Sequence, residues 1–401
     1  MRSIRFLLIS IVSAAILNVP ASDWPHWLGA SGDNTAPEGA RFEPDLNKWK
    51  VVWKAEVGKG YSSIAVAGES AYTVGHDGKG KETIYCLNAA TGAEHWKYSY
   101  DAPLMPHLHT GGPNATPTIA GGKVISLSKN GQVYCLTDKG DLLWKNSLLE
   151  VFGIKLPEWG FASSPVIDGK QLLFCGGKAC ALDLDSGKPI WVSKTARLPA
   201  GYSTLPVFEL GGKKFVAALD GKGFSILSAT TGDEITRHPF KALFDMNATT
   251  PFILDQGKRI FISNTVQSDM LAFDGQKLTT IWSTKELRNT MNNSVFQAGA
   301  IYGISGEQEQ STNSLVCLSE ADGTEKWSQP NIGYGNVIGI GKTLLVLTER
   351  GLLMTVKIDP AQYTELSRRQ VLEKVCWTTP TYANERIYLR NDQGNVLVLG
   401  Q

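Results

Sequence analysis

The chain has 401 residues, with 39 Lys+Arg against 38 Asp+Glu and a formal net charge of +1. That balance supplies no basic field for nucleic-acid backbones and no acidic field for basic partners. Charged residues make up only 19%, while 41 Gly and 11 Trp stand out; this composition excludes disorder, a coiled coil and a helical bundle.

From the amino end, Arg2 and Arg5 precede an apolar run from Phe6 to Leu17, followed by Val19-Pro20-Ala21-Ser22. A basic start, a short apolar stretch and small residues before the cut predict a secretory signal peptide over 1–21, removed after Ala21. The run is shorter than the roughly 20 residues of a spanning helix, and no Cys follows it for lipid attachment. The mature chain is therefore expected to be periplasmic or secreted, without stable membrane insertion. Residues 22–45, opening Trp24-Pro25-His26-Trp27-Leu28-Gly29, read as a Trp-containing arm.

A repeat of about 45 residues fills the remainder, 46–401. Its unit ends on a polar-Gly turn and a Trp, as in Asn88-Ala89-Ala90-Thr91-Gly92-Ala93-Glu94-His95-Trp96 and Asp183-Leu184-Asp185-Ser186-Gly187-Lys188-Pro189-Ile190-Trp191. The Trp-type positions are Trp53, Trp96, Trp144, Trp191, Ile235, Trp282, Trp327 and Leu366, two of them without Trp. Inside each unit, short apolar runs such as Lys123-Val124-Ile125-Ser126-Leu127 alternate with Gly turns, giving about four strands and no amphipathic helix. The pattern predicts an all-β, eight-bladed β-propeller of four-stranded antiparallel blades in one domain.

The chain ends set the blade count. Residues 46–58 supply one outer strand without inner strands, and Trp377 to Gln401 supply inner strands without a Trp strand. Joined, they complete the eighth blade, closing the ring and leaving no open sheet edge at its ends. The blade Trp residues are expected between neighbouring sheets, with the Gly turns supplying positive φ.

Six Cys in a chain of this length do not make a disulfide framework. Cys86, Cys135 and Cys317 occupy equivalent strand positions and read as small buried apolar residues. Cys175 and Cys180 flank a tight hairpin, which leaves a cross-hairpin disulfide open.

The unit with its Asn/Asp-x-x-Thr/Ser-Gly-x-x-x-Trp ending resembles the pyrroloquinoline-quinone-type (PQQ-like) propeller repeat. That superfamily includes quinoprotein dehydrogenases and the periplasmic propeller of the outer-membrane assembly machine. The resemblance spans nearly all of 46–401, and the Trp24–Gly29 segment is similar to the arm that opens many exported propellers of this group. For a dehydrogenase it implies PQQ held with calcium near the channel mouth, often under two adjacent cysteines. This chain has no Cys-Cys pair.

In such a fold the segments leading into each innermost strand form the channel mouth. Here they place Tyr61, Asn114, Glu158, Trp159, Tyr202, Asn247, Asn292, Tyr334 and Trp377 around one opening, with Asn293 and Asn336 beside them. Amides and aromatic rings with little charge suit a neutral polar small molecule, a peptide, or a segment of an envelope or extracellular protein. Asparagines that merely satisfy turn backbone remain the alternative. Glu158 and Asp245 are the carboxylates available to a hard cation, which needs several oxygen ligands. His107 and His109 sit at alternate positions of an extended segment and could reach one ion, although no further ligand is evident. The sequence thus leads first to a monomeric, non-catalytic binding or interaction scaffold without cofactor, with no nucleic-acid partner. A PQQ-dependent dehydrogenase acting on an alcohol or sugar is the alternative.

Overall fold

Each repeat unit folds into one four-stranded antiparallel sheet with its strands in chain order, and the described residues form eight such sheets. The structure is a computed structural model that describes residues 23–107, 109–194, 201–373 and 375–401; the expected signal peptide lies outside the described residues. Blade 1 comprises Ala65–Ala67, Ser70–His76, Lys81–Asn88 and Glu94–Asp101. Blades 2 to 7 begin with the inner strands Thr118–Ala120, Val166–Asp168, Val207–Leu210, Phe252–Leu254, Val295–Gln297 and Gly335–Ile340. Blade 8 is composite. Thr381–Ala383, Arg386–Arg390 and Asn395–Gly400 come from the carboxy end, and Lys50–Glu56 pairs with the last of them as the outer strand.

The outer strand of every blade carries a bulge at an equivalent register position, for example between Cys86 and Leu87, Ala181 and Leu182, and Met270 and Leu271. The extra residue points away from the blade core. Val52, Leu143, Ile190, Ile235, Ile281 and Leu366 occupy this place and are 41–48% exposed. The bulge also corrects the repeat alignment. Cys86 faces Trp96, whereas Ile226 faces Thr236 and Thr355 faces Ser367. The residues equivalent to Trp in blades 4 and 7 are therefore Thr236 and Ser367, and Ile235 and Leu366 are the bulged neighbours.

The six blade tryptophans act as rivets. The Nε1 groups of Trp53, Trp96, Trp144, Trp191, Trp282 and Trp327 each donate to a carbonyl in the outer turn of the next blade, at 2.8–3.2 Å. In five of these seams the ring also lies against that turn's Gly. A Cβ at Gly187, whose φ is +68°, would fall 2.5 Å from Trp144 Cε3. The turn thus needs Gly for close approach as well as for backbone conformation.

A second belt runs near the axis. The backbone N–H of Ser63 donates to Thr116 Oγ1 (3.1 Å), that of Thr116 to Ser164 Oγ (3.0 Å) and that of Ser164 to Thr204 Oγ1 (3.1 Å). Between blades 5 and 6 the N–H of Thr250 donates likewise to Asn293 Oδ1 (2.9 Å). Residues before the inner strands therefore tie blade 1 to 2, 2 to 3, 3 to 4 and 5 to 6.

The arm crosses the ring axis. Trp24 forms a bridge with Val66 of blade 1, and Pro25 O accepts from Ile119 of blade 2. Trp27 Nε1 then donates to Thr250 Oγ1 (3.0 Å) before blade 5. Asn34 Nδ2 donates to Val337 O (2.6 Å), and Thr35 pairs with Gly339 of blade 7. These contacts cover inner-strand edges that would otherwise face the channel. Beyond them Trp49 is buried against Phe42 and Tyr382.

All six cysteines are buried and free. The hairpin pairs Phe174 with Cys180 and Cys175 with Ala179. Cys175 and Cys180 therefore sit one register step apart and point to opposite faces of the sheet, which excludes the disulfide left open by the sequence.

Candidate ligand site at the channel mouth

The segments leading into the inner strands share one face with the hairpins between the second and third strands of each blade. Asparagines clamp the two sets together. Asn247 Nδ2 donates to Asp220 O (2.8 Å) and Phe240 O (3.1 Å), while its Oδ1 accepts from Asn264 (3.1 Å). Asn292 Nδ2 donates to Ile304 O and Gly335 O, both at 3.0 Å. Both side chains are fully buried, as is Tyr334, whose OH accepts from the N–H of Met291 (3.2 Å). These three predicted site residues satisfy loop backbone and face no opening. Asn336 does the same, donating to Trp377 O (2.9 Å).

The remaining predicted residues converge. Half-buried Tyr61 stacks on Trp377 at 5.5 Å and 22°. Its other neighbour is His109, at 5.6 Å and nearly perpendicular (88°). His109 in turn stacks on Trp159 (5.5 Å, 27°), and His107 meets that indole edge-on at 4.6 Å. Glu158 Oε1 lies 3.2 Å from His107 Nε2. The N–H of Trp159 donates to Tyr202 OH (3.4 Å), and Asn114 Nδ2 to Trp159 O (3.5 Å). Two stacked pairs thus meet at a right angle, forming an aromatic corner built by segments before blades 8, 1, 2 and 3.

The corner is firmly held. Tyr61 OH accepts from Thr110 N (3.3 Å) and Thr110 Oγ1 (3.0 Å), and Trp377 Nε1 donates to Glu349 Oε2 (3.2 Å). His109 Nδ1 accepts from Gly111 N (2.9 Å), which leaves the proton of the neutral ring on Nε2. Burial, with Lys129 and His107 nearby, holds the His109 pKa down at about 4, so the ring is uncharged at neutral pH. Beneath it, Lys129 Nζ donates to Gly112 O (3.1 Å), and burial lowers its pKa to about 8. Glu82 accepts from Tyr100 OH (2.9 Å), and burial raises its pKa to about 7.

Sequence reasoning missed Glu349, Lys129 and Glu82. Glu349 and Lys129 lie in hairpins between second and third strands, and the shared face of those hairpins is the signal that would have found them. The two imidazoles predicted as metal ligands both turn to Trp159. Asp245 pairs with Lys222 at 2.9 Å. Among the described residues no group of three or more His, Cys, Asp and Glu side chains could hold a metal ion. The mouth carboxylates Glu158 and Glu349 are engaged, by His107 and by Trp377 Nε1.

Blade number, bulged outer strands and Trp rivets define the class: a PQQ-like-repeat β-propeller. A family model described as outer membrane protein assembly factor BamB matches residues 81–329, more than half of the chain, and the chain belongs to that family. Among solved structures, BamB from Moraxella catarrhalis is similar at 16% identity and a TM-score of 0.64, over 88% of this chain and 100% of that one. The quinohemoprotein alcohol dehydrogenase of Comamonas testosteroni is similar at 10% identity and a TM-score of 0.73, over 95% and 81%. At these identities the likeness is one of fold. None of the curated proteins matches the sequence.

Proposed function

We propose that this chain is an exported, non-catalytic binding propeller that engages a peptide segment of an envelope protein in the aromatic corner of Tyr61, Trp377, His109 and Trp159. The observation that carries this reading is the corner itself: two stacked pairs at a right angle, uncharged at neutral pH and flanked by Glu158. Such walls take up apolar side chains while indole, amide and hydroxyl edges hold backbone groups. Membership of a family named for outer-membrane protein assembly supports a protein partner over a free small molecule.

The test is affinity purification from envelope extracts with wild type and the double variant Trp159→Ala/Trp377→Ala, beside matched melting curves. The expected result is a partner lost from the variant while the melting temperature stays within a few degrees. Undiminished capture by the variant would refute the reading, and so would dye-linked oxidation of alcohols or sugars after addition of PQQ and calcium.

A further inference from the structure

The aromatic corner has a polarity as well as a shape. Tyr61, Trp377, His109 and Trp159 are each only partly buried, and a carboxylate adjoins either end of the row. At one end Glu158, its side chain 71% exposed, lies 3.2 Å from His107, which packs edge-on against Trp159. At the other end Glu349 is buried, and its Oε2 accepts from Trp377 Nε1 (3.2 Å) and from the N–H of Glu309 (3.0 Å).

Among the described residues no Lys or Arg forms a salt bridge with either carboxylate, exposed Lys155 and Arg350 of the same two loops included. The buried cations nearby are committed elsewhere. Lys129 Nζ donates to Gly112 O (3.1 Å), with Glu82 close to its backbone N–H (3.4 Å). Arg390 donates to Ser62 O, Val74 O and Gly58 O at 2.8–3.0 Å, in the segment that carries Tyr61. The ring faces add to the negative potential, because each aromatic quadrupole presents a negative face. His109, uncharged at neutral pH, does not oppose it. Trp and Tyr faces within about 6 Å attract a cation, and Trp does so best.

We propose that the aromatic corner is the seat of an arginine side chain, whose guanidinium stacks in the angle between the two ring pairs and takes Glu158 as its carboxylate partner. This inference rests on the reading of the corner as a peptide-binding site and names the side chain that the segment presents there. An aliphatic side chain would gain the same apolar contact but would cover Glu158 without pairing it. A lysine ammonium is a compact, strongly hydrated point charge. A guanidinium is planar and weakly hydrated, and it can lie flat on an indole while its N–H fork meets a carboxylate in its own plane.

The experiment titrates the purified mature chain into fluorescently labelled heptapeptides of alternating Leu and Ser with Arg, Lys or citrulline at the centre, followed by fluorescence anisotropy. Citrulline keeps the planar shape of Arg and removes its charge. The Arg peptide is expected to bind about tenfold or more tighter than the citrulline peptide, with Lys between them. That lead should shrink as salt is raised. Glu158→Gln should remove most of the difference while leaving the citrulline peptide and the melting temperature unchanged, since Glu158 is exposed. Trp159→Ala should weaken all three peptides. Equal affinity for the Arg and citrulline peptides, both weakened by Trp159→Ala, would overturn the arginine assignment and leave the binding corner standing. A preference for Arg that survives both substitutions would place the cation elsewhere and overturn it too. Binding of none of the peptides also overturns it, whereas the corner itself is judged by the envelope purification.

Discussion

Trp144 and Gly187 allow the rivet to be tested as a pair. Trp144→Ala removes a half-buried indole and its 3.0 Å bond to Leu184 O. Burying Trp fully is worth about 3–5 kcal/mol; with part of the ring exposed, about 2–3 kcal/mol is expected, since water can reach the freed carbonyl. Gly187→Ala imposes two separate penalties. Holding Ala at φ +68° costs about 1–2 kcal/mol. Forcing a Cβ to 2.5 Å from Trp144 Cε3 adds about 1–3 kcal/mol of overpacking. In the Trp144→Ala background the second penalty disappears, so the double variant should be less destabilised than the sum of the singles by about 1–3 kcal/mol. Urea denaturation followed by circular dichroism on the four proteins measures this coupling. Additivity within about 0.5 kcal/mol would refute the rivet.

The other expectations concern positions that sequence alone leaves ambiguous. Asn247→Ala removes the clamp between Asp220 O and Phe240 O and should destabilise by about 2–4 kcal/mol, read by denaturant titration. The stability–pH profile holds two opposing slopes. Glu82, raised to about 7 from an ordinary 4.5, contributes stability present below 4.5 and lost as pH rises through 7. His109, lowered from 6.5 to about 4, contributes stability present above 6.5 and lost as pH falls through 4. Glu82→Gln should therefore expose a loss of stability on acidification, and His109→Gln a loss on alkalinisation, in melting curves across that window. Thiol titration without reductant should find six reactive groups in the denatured chain and almost none in the native one.

The repeat made the ring legible because blade packing depends on residues close together in sequence: a Trp, a Gly turn and alternating apolar runs. The composite eighth blade followed from counting fragments at the two ends. What failed was parity. A bulge moves the inward position by one residue, so Ile235 and Leu366 stood in for Thr236 and Ser367. The same one-step offset separates Cys175 from Cys180. The mouth asparagines were ambiguous for a different reason, since an amide reads alike whether it faces a ligand or backbone. Asn247 and Asn292 bind carbonyls of other segments, and no local pattern announces those. The aromatic corner was half legible: its residues were named, but their convergence depends on where long segments cross between blades.

The two blades without Trp each face an altered neighbour. A Gly turn is not indispensable, since Trp327 donates to Asp359 O and packs on Tyr363 in a turn without Gly. Trp191 of blade 3 lies on Gly232, four residues before Thr236, and Trp144 lies likewise on Gly187, four residues before Trp191. Blade 5 departs from this spacing: its outer turn holds Gly275, seven residues before Trp282, and nothing lies over that Gly. Blade 4 therefore has no partner for a Trp at 236, and Phe208, Phe215 and Phe273 fill the seam instead. Blade 8 has no such turn at all, because its outer strand comes from the amino end. There Ser367 accepts from Leu46 N, Arg369 holds Trp49 O, and Trp49 packs on Tyr382. Trp49, just ahead of the amino-terminal outer strand, thus supplies an indole at the seam where ring closure by separate chain ends leaves no rivet. The two seams freed from the rivet also carry distinctive surface features. Exposed Phe244, in the segment between blades 4 and 5, stands at the mouth end of the first, and a groove lined by Lys54, Glu56, Gln370, Leu372, Asn391 and Asn395 opens along the second. A missing Trp in this repeat is therefore a mark of an altered neighbour, and it points to the seams where the ring differs from a simple eightfold array.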